Sequence, residues 1–124
     1  MSGNNYDSGL EISYRFPAAS LTSAAVVGRF IGPAGKVGRV KSVSSIVTTG
    51  VTVAAAVVDV DTVAGITTPV ATTIPISSAN AGLSATKAEI DASTELPADT
   101  VVQVSSDGGP TAGAADLVVV VNWY

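Results

Sequence analysis

Asp59 and Asp61 stand two residues apart, the spacing that puts both carboxylates on one face of an extended strand. Such a pair can do general acid–base work or, helped by loop carbonyls, ligate a calcium ion. The further oxygen ligands and distal glutamate of an EF-hand loop are missing, so the pair also reads as a polar strand end entering a loop. Asp107-Gly108-Gly109 offers backbone amides to an ion or a phosphate. No Lys-Ser/Thr and no helix follows it, so chain reversal is the simpler reading. The fourteen serines have no histidine anywhere in the chain, which excludes a Ser-His triad within it. Lys36, Lys41 and Lys87 show no recognisable Ser-Lys dyad spacing. The expectation is no enzyme, no cofactor and no metal.

Composition points the same way. Twenty residues are valine and thirteen are threonine, while histidine and cysteine are absent. β-Branched side chains favour the pleated, half-buried surface of a sheet. The near-neutral proton shuttle and the strongest ordinary nucleophile are the two missing types. The chain is therefore read as a maker of surfaces. Without cysteine, its fold rests on packing, metal or oligomerisation rather than disulfides.

Charged residues are only 13%, about half the usual share, and the net charge is −4. Mean hydropathy is +0.48, yet no run of about 18 apolar residues exists to span a membrane as a helix. The first residues, Met1 to Asn5, lack the basic and apolar regions of a signal peptide. A hydrophobic, charge-poor chain of this kind is expected to meet other protein over much of its surface. Arg29, Lys36, Arg39 and Lys41 make a local basic run, but Phe30 is its only aromatic, so no nucleic-acid partner is expected.

The pattern along the chain predicts an all-β fold of about eight short strands. Residues 1–9 read as a flexible arm. Leu10, Ile12, Tyr14 and Phe16 alternate with Glu11, Ser13 and Arg15, a period-two strand that Pro17 is expected to stop. Further strands are predicted over 24–31, 37–49 (one bent strand or two short ones), 51–61, 83–90 (where 85–90 also suits a helical turn) and 100–105. The stretch 67–76 reads as an edge strand or an extended loop, because it holds Pro69 and Pro75. Gly50 is expected to separate the third strand from the fourth. Leu117 to Val121 form an unbroken apolar run, the mark of a strand covered on both faces. The organisation predicted is an N-terminal arm, 1–16 (1–9 flexible, 10–16 extended strand), and one β-sandwich domain, 17–124. Long connections after Thr62 and Ile76 suit Greek-key or jelly-roll crossing.

Three stretches carry a family resemblance. Gly38-Arg39-Val40-Lys41-Ser42-Val43 leads into the apolar Val51–Val58; Glu95-Leu96-Pro97-Ala98-Asp99-Thr100 leads into Val101–Val104; and Ala112-Gly113-Ala114-Ala115-Asp116 leads into Leu117–Val121. In this order they resemble small virion proteins of tailed bacteriophages, in particular head decoration (cement) proteins. The resemblance implies a single β-sandwich or jelly-roll domain, a homotrimer, the major capsid protein as partner and a place on the capsid exterior. It carries over no functional residue.

Read from their chemistry, Leu10, Ile12, Tyr14 and Phe16 are expected to contact the capsid or a neighbouring subunit. Trp123 and Tyr124 end the chain as large amphipathic aromatics, either capping the core or forming a trimer seam. The alternative function is a receptor- or carbohydrate-binding module of a phage tail or fibre, which needs an exposed aromatic platform from a chain with only six aromatics.

Overall fold

A computed structural model describes residues 9–54, 56–62, 74–76, 85–89 and 95–124. The expected flexible arm therefore lies, except for Gly9, outside the described residues, as do the connections at 63–73 and 77–84. The described chain is all-β: β1 (Leu10–Ser20), β2 (Ala24–Phe30), β3 (Gly38–Thr52), β4 (Ala56–Thr62), β5 (Ile74–Ile76), β6 (Ala85–Glu89), β7 (Val102–Asp107) and β8 (Ala112–Trp123). They form two antiparallel four-stranded sheets, ordered β1-β8-β3-β6 and β2-β7-β4-β5. The architecture is a β-sandwich.

The core follows from alternation. In β8, Ala115, Leu117, Val119, Val121 and Trp123 are buried, while the residues between them are half-buried. The apolar run 117–121 is thus the centre of a strand flanked by β1 and β3. From the other sheet, Val58 and Val60 of β4 and Val102 and Val104 of β7 meet it. Leu21 and Leu96, both 0% exposed, close the two ends from connecting segments. Each fully buried Val or Leu stabilises the fold by about 1.5–3 kcal/mol, which is how a core of small side chains suffices.

Two predicted boundaries moved. Pro17 does not stop β1, which continues to Ser20 through a register shift between Phe16 and Ala19. β1 is an edge strand, so a residue without an N–H is tolerated on its outer side. Hence the expected arm–domain boundary at 16/17 falls inside a strand. Gly50 does not end β3 either. The break comes at Val53, whose φ of 76° bends the chain, and Ala54 N–H closes a tight turn onto Thr52 C=O at 3.0 Å.

Candidate protein-binding surface

β1 carries four of the predicted contact residues. Their alternation turns Ile12, Tyr14 and Phe16 toward the core, where they are half-buried, and leaves Leu10 at 56% exposure at the strand's start. The Tyr14 ring stacks on Phe30 with centroids 4.0 Å apart and planes 14° from parallel; Phe16 tilts onto the same ring at 6.4 Å. This cluster ties the edge strands of the two sheets together. Burial pushes the Tyr14 hydroxyl above its ordinary range, partly opposed by its hydrogen bond from Trp123.

Trp123 and Tyr124 separate in role. The Trp123 indole is 1% exposed and has no surface to offer a second chain. It fills the space over Gly32 and Gly38, where a built Cβ falls 2.5 Å and 2.6 Å from ring carbons. Of the two readings for Trp123, core capping is the one its burial fits, and a trimer seam cannot be built from its ring. Tyr124 lies at the surface. Its hydroxyl donates to Glu95 Oε2 at 2.6 Å, and the Arg39 guanidinium lies 6.0 Å from its ring centroid. The Glu95 hydrogen bond leads the causes that raise its hydroxyl pKa.

The topology gathers apolar groups at one end of the sandwich. Leu10 opposes Trp123, and Phe30 opposes Val102, so the exposed Leu10, Ile31 (54%) and Val101 (39%) share that end. Arg39, Glu95 and Tyr124 form a polar cluster at the same end, with Arg39 and Glu95 3.9 Å apart. Protein–protein contact patches commonly combine apolar groups with polar ones.

The outer face of the β1 sheet carries paired charges that sequence reading did not find. Lys41 Nζ lies 3.0 Å from Glu11 Oε2, and Arg15 lies 3.3 Å from Asp116 Oδ2. Asp116 also accepts the Ala18 N–H at 2.7 Å, pinning the irregular end of β1 to β8. The signal in the sequence was the lone carboxylate placed directly before an apolar run. The basic run 29–41 is divided: Arg29 sits in β2, Arg39 and Lys41 in β3 of the other sheet, and Lys36 in the loop between. An open depression of about 490 Å³ lies beside the β1–β2 corner, with Arg15, Phe16, Pro17 and Val26 among its walls.

Asp59 and Asp61 do share a face, the outer one of the β2-β7-β4-β5 sheet, between buried Val58, Val60 and Thr62. Asp59 comes within hydrogen-bonding reach of Asp107. Desolvation first, then the Asp107 hydrogen bond and the charges of Asp107 and Asp61, push the Asp59 carboxyl up to about 6. Among the described residues no three His, Cys, Asp or Glu side chains converge on a point suited to a metal ion. The Asp107-Gly108-Gly109 segment runs into the loop that leads to β8, with both glycines at positive φ and the Gly108 N–H on Ser106 Oγ at 3.2 Å.

No protein-family model matches the chain. No curated protein matches it either. Among solved structures, it is similar to a protein of the Bacillus endospore appendages, described as disulfide-linked pili, at 13% identity and TM-score 0.41, over 93% of this chain and 84% of that one. It is also similar to part of an arabinose-bound α-L-arabinofuranosidase, MgGH51, at 15% identity and TM-score 0.43, over 98% of this chain but only 24% of that one.

Proposed function

We propose that this protein is a jelly-roll capsid decoration protein that binds the outside of a phage head and bridges major capsid subunits as a homotrimer. The strand orders β1-β8-β3-β6 and β2-β7-β4-β5 support the jelly-roll reading. Two interleaved Greek keys of eight strands, a fold common in viral shells, would give strand orders of this kind. The observation that carries the binding role is the end of the sandwich where Leu10, Ile31 and Val101 stand exposed, the end that also holds the Arg39, Glu95 and Tyr124 cluster. In this reading that end meets the shell. Ile12, Tyr14 and Phe16 hold Leu10 in place and face a neighbouring subunit, while Tyr124 belongs to the trimer seam. Many modest contacts of this kind gain strength through avidity on a repeating lattice.

The test is co-sedimentation with empty phage heads and, in parallel, glycan-array binding. Saturable binding to heads, weakened by Ile31→Asp or Val101→Asp in a folded protein whose mass matches the parent's, is the expected result. Binding to a glycan with none to heads overturns the proposal and favours a receptor-binding module.

A further inference from the structure

We infer that the free edge of β1 pairs antiparallel with the same edge of a second copy, across a two-fold axis through Ser13. Among the described residues no strand covers that edge, since β1 pairs only with β8 and ends its sheet. The backbone groups it exposes can be assigned. Tyr124 exchanges both of its backbone hydrogen bonds with Val37, on the β3 side. Alternation then turns the backbone of Trp123, Val121, Val119 and Leu117 toward β1, where they oppose Leu10, Ile12, Tyr14 and Phe16. The N–H and C=O of Glu11, Ser13 and Arg15 are left pointing away from the sheet. An exposed row of this kind is a template for another strand.

The side chains select the occupant and the register. The regular part of β1 runs from Leu10 to Phe16, bounded by Gly9 and by Pro17 with its register shift, and Ser13 is its midpoint. A two-fold axis there sets Glu11 opposite Arg15 of the second copy, in both directions. With the existing pairs, the outer face then reads Lys41, Glu11, Arg15 of the second copy, Asp116 of the second copy: alternating charges in one row. On the inner face Leu10, 56% exposed in a single chain, comes to lie opposite Phe16 of the second copy. Ile12 lies opposite Tyr14. The edge is thus complementary to itself, as an isologous contact requires. This inference rests on the β1 edge and not on the capsid reading; if that reading holds as well, the contact joins neighbouring trimers.

Cysteine crosslinking tests it, because the chain has no cysteine of its own. Opposed residues of a hydrogen-bonded antiparallel pair lie about 5.5 Å apart at Cα, within disulfide range. Purified Ser13→Cys in a glutathione redox buffer should form a covalent dimer roughly tenfold faster than Thr48→Cys, an exposed control on β3, because pairing raises the effective thiol concentration. Glu11→Cys alone should crosslink no faster than the control, since four residues' offset separates the two thiols by about 14 Å. Glu11→Cys with Arg15→Cys should crosslink readily. Ser13→Pro removes only an outward N–H, so it should keep the strand signature in circular dichroism and lose the association seen by light scattering. Glu11→Arg, which sets like charges opposite each other across the axis, should also lose it. Equal rates for Ser13→Cys and Thr48→Cys, or unchanged association in folded Ser13→Pro, overturn the inference whatever the protein does on capsids.

Discussion

The indole Nε1–H of Trp123 donates to the Tyr14 hydroxyl oxygen at 3.0 Å, joining the central strand of one sheet to its edge strand beneath the stacked Phe30 ring. A buried indole N–H needs a partner, and Tyr14 supplies the one the structure records. Tyr14→Phe keeps the ring stack and deletes the acceptor. We expect a loss of about 1–2 kcal/mol, the penalty of an unpaired buried donor. Trp123 is the sole tryptophan, so its fluorescence reads the site directly in a denaturant titration. An unchanged midpoint would show that the bond contributes nothing net.

The same ring explains a second, larger effect. A Cβ on Gly38 would lie 2.6 Å from the indole and 2.9 Å from a Val121 methyl carbon, both in the closed core. Gly38→Ala therefore forces the indole or the strand to shift, costing about 1–3 kcal/mol as overpacking does. Gly35, with nothing within 4 Å of its Cβ position, is the control for space, though its φ of 74° adds a strain of its own. Thermal unfolding of Gly38→Ala followed by tryptophan fluorescence checks the prediction.

Asp59 makes stability depend on pH in an unusual sense. Its folded pKa, about 6, lies above that of an unfolded aspartate near 3.8, so the native state holds the proton more tightly. The stabilisation is complete below the unfolded pKa and is lost as pH rises through about 6. The carboxyl is only partly buried, so solvent screening holds the effect to the order of 1 kcal/mol. Asp59→Asn should abolish this fall and leave the protein more stable than the parent at pH 7 and above. Urea midpoints measured from pH 4 to 8 check it.

Val53 combines two liabilities: 80% exposure of an apolar side chain and a φ of 76° at a β-branched residue. The strained turn it centres is held by Ala54 N–H on Thr52 C=O and by Thr111 N–H on the same oxygen at 3.2 Å. Glycine adopts such a φ without steric cost. Val53→Gly should stabilise the protein by about 1 kcal/mol, net of the extra chain entropy of glycine. The check is a higher denaturant midpoint at unchanged slope.

Where a strand's two faces meet different surroundings, the sequence was legible. The alternation of Leu10 to Phe16 marked a strand that the structure has, while the run Leu117 to Val121, expected to be covered on both faces, buries Leu117, Val119 and Val121 and leaves Val118 and Val120 half-buried on the outer face. What failed was punctuation. Pro17 and Gly50 break a strand only if their missing N–H or side chain is needed there, and that depends on which neighbour lies alongside. Pro17 lies in an edge strand, and Gly50 lies where β3 slips register against β8 between Thr49 and Thr52. The candidate surface was legible in part. Leu10 belongs by alternation to the inward face of Ile12, Tyr14 and Phe16 and stays exposed because it starts the strand, whereas Ile31 and Val101 meet it only through the sandwich topology, which one-dimensional pattern does not contain. Trp123 read ambiguously because a large aromatic beside a buried strand looks alike as core and as seam; the two glycines its ring packs over lie far from it in sequence.

Asp116 holds the irregular end of β1 with both carboxylate oxygens: Oδ1 accepts the Ala18 N–H at 2.7 Å and Oδ2 faces Arg15 at 3.3 Å. Ala18 has a φ of 52°, a conformation that non-glycine residues adopt at a cost, so the bond offsets local strain. Asp116→Ala should lower stability by about 1–2 kcal/mol, since a charge-assisted hydrogen bond is lost. Removing only the Arg15 partner, by Arg15→Ala, should cost less than about 1 kcal/mol because that pair is exposed. The two variants separate further in hydrogen exchange. The Ala18 amide should exchange faster in Asp116→Ala and remain protected in Arg15→Ala, and Ala18→Gly in the Asp116→Ala background should recover part of the lost stability by relieving the strained φ. Equal protection of the amide in both single variants would mean that the β8 carboxylate does not hold this bend.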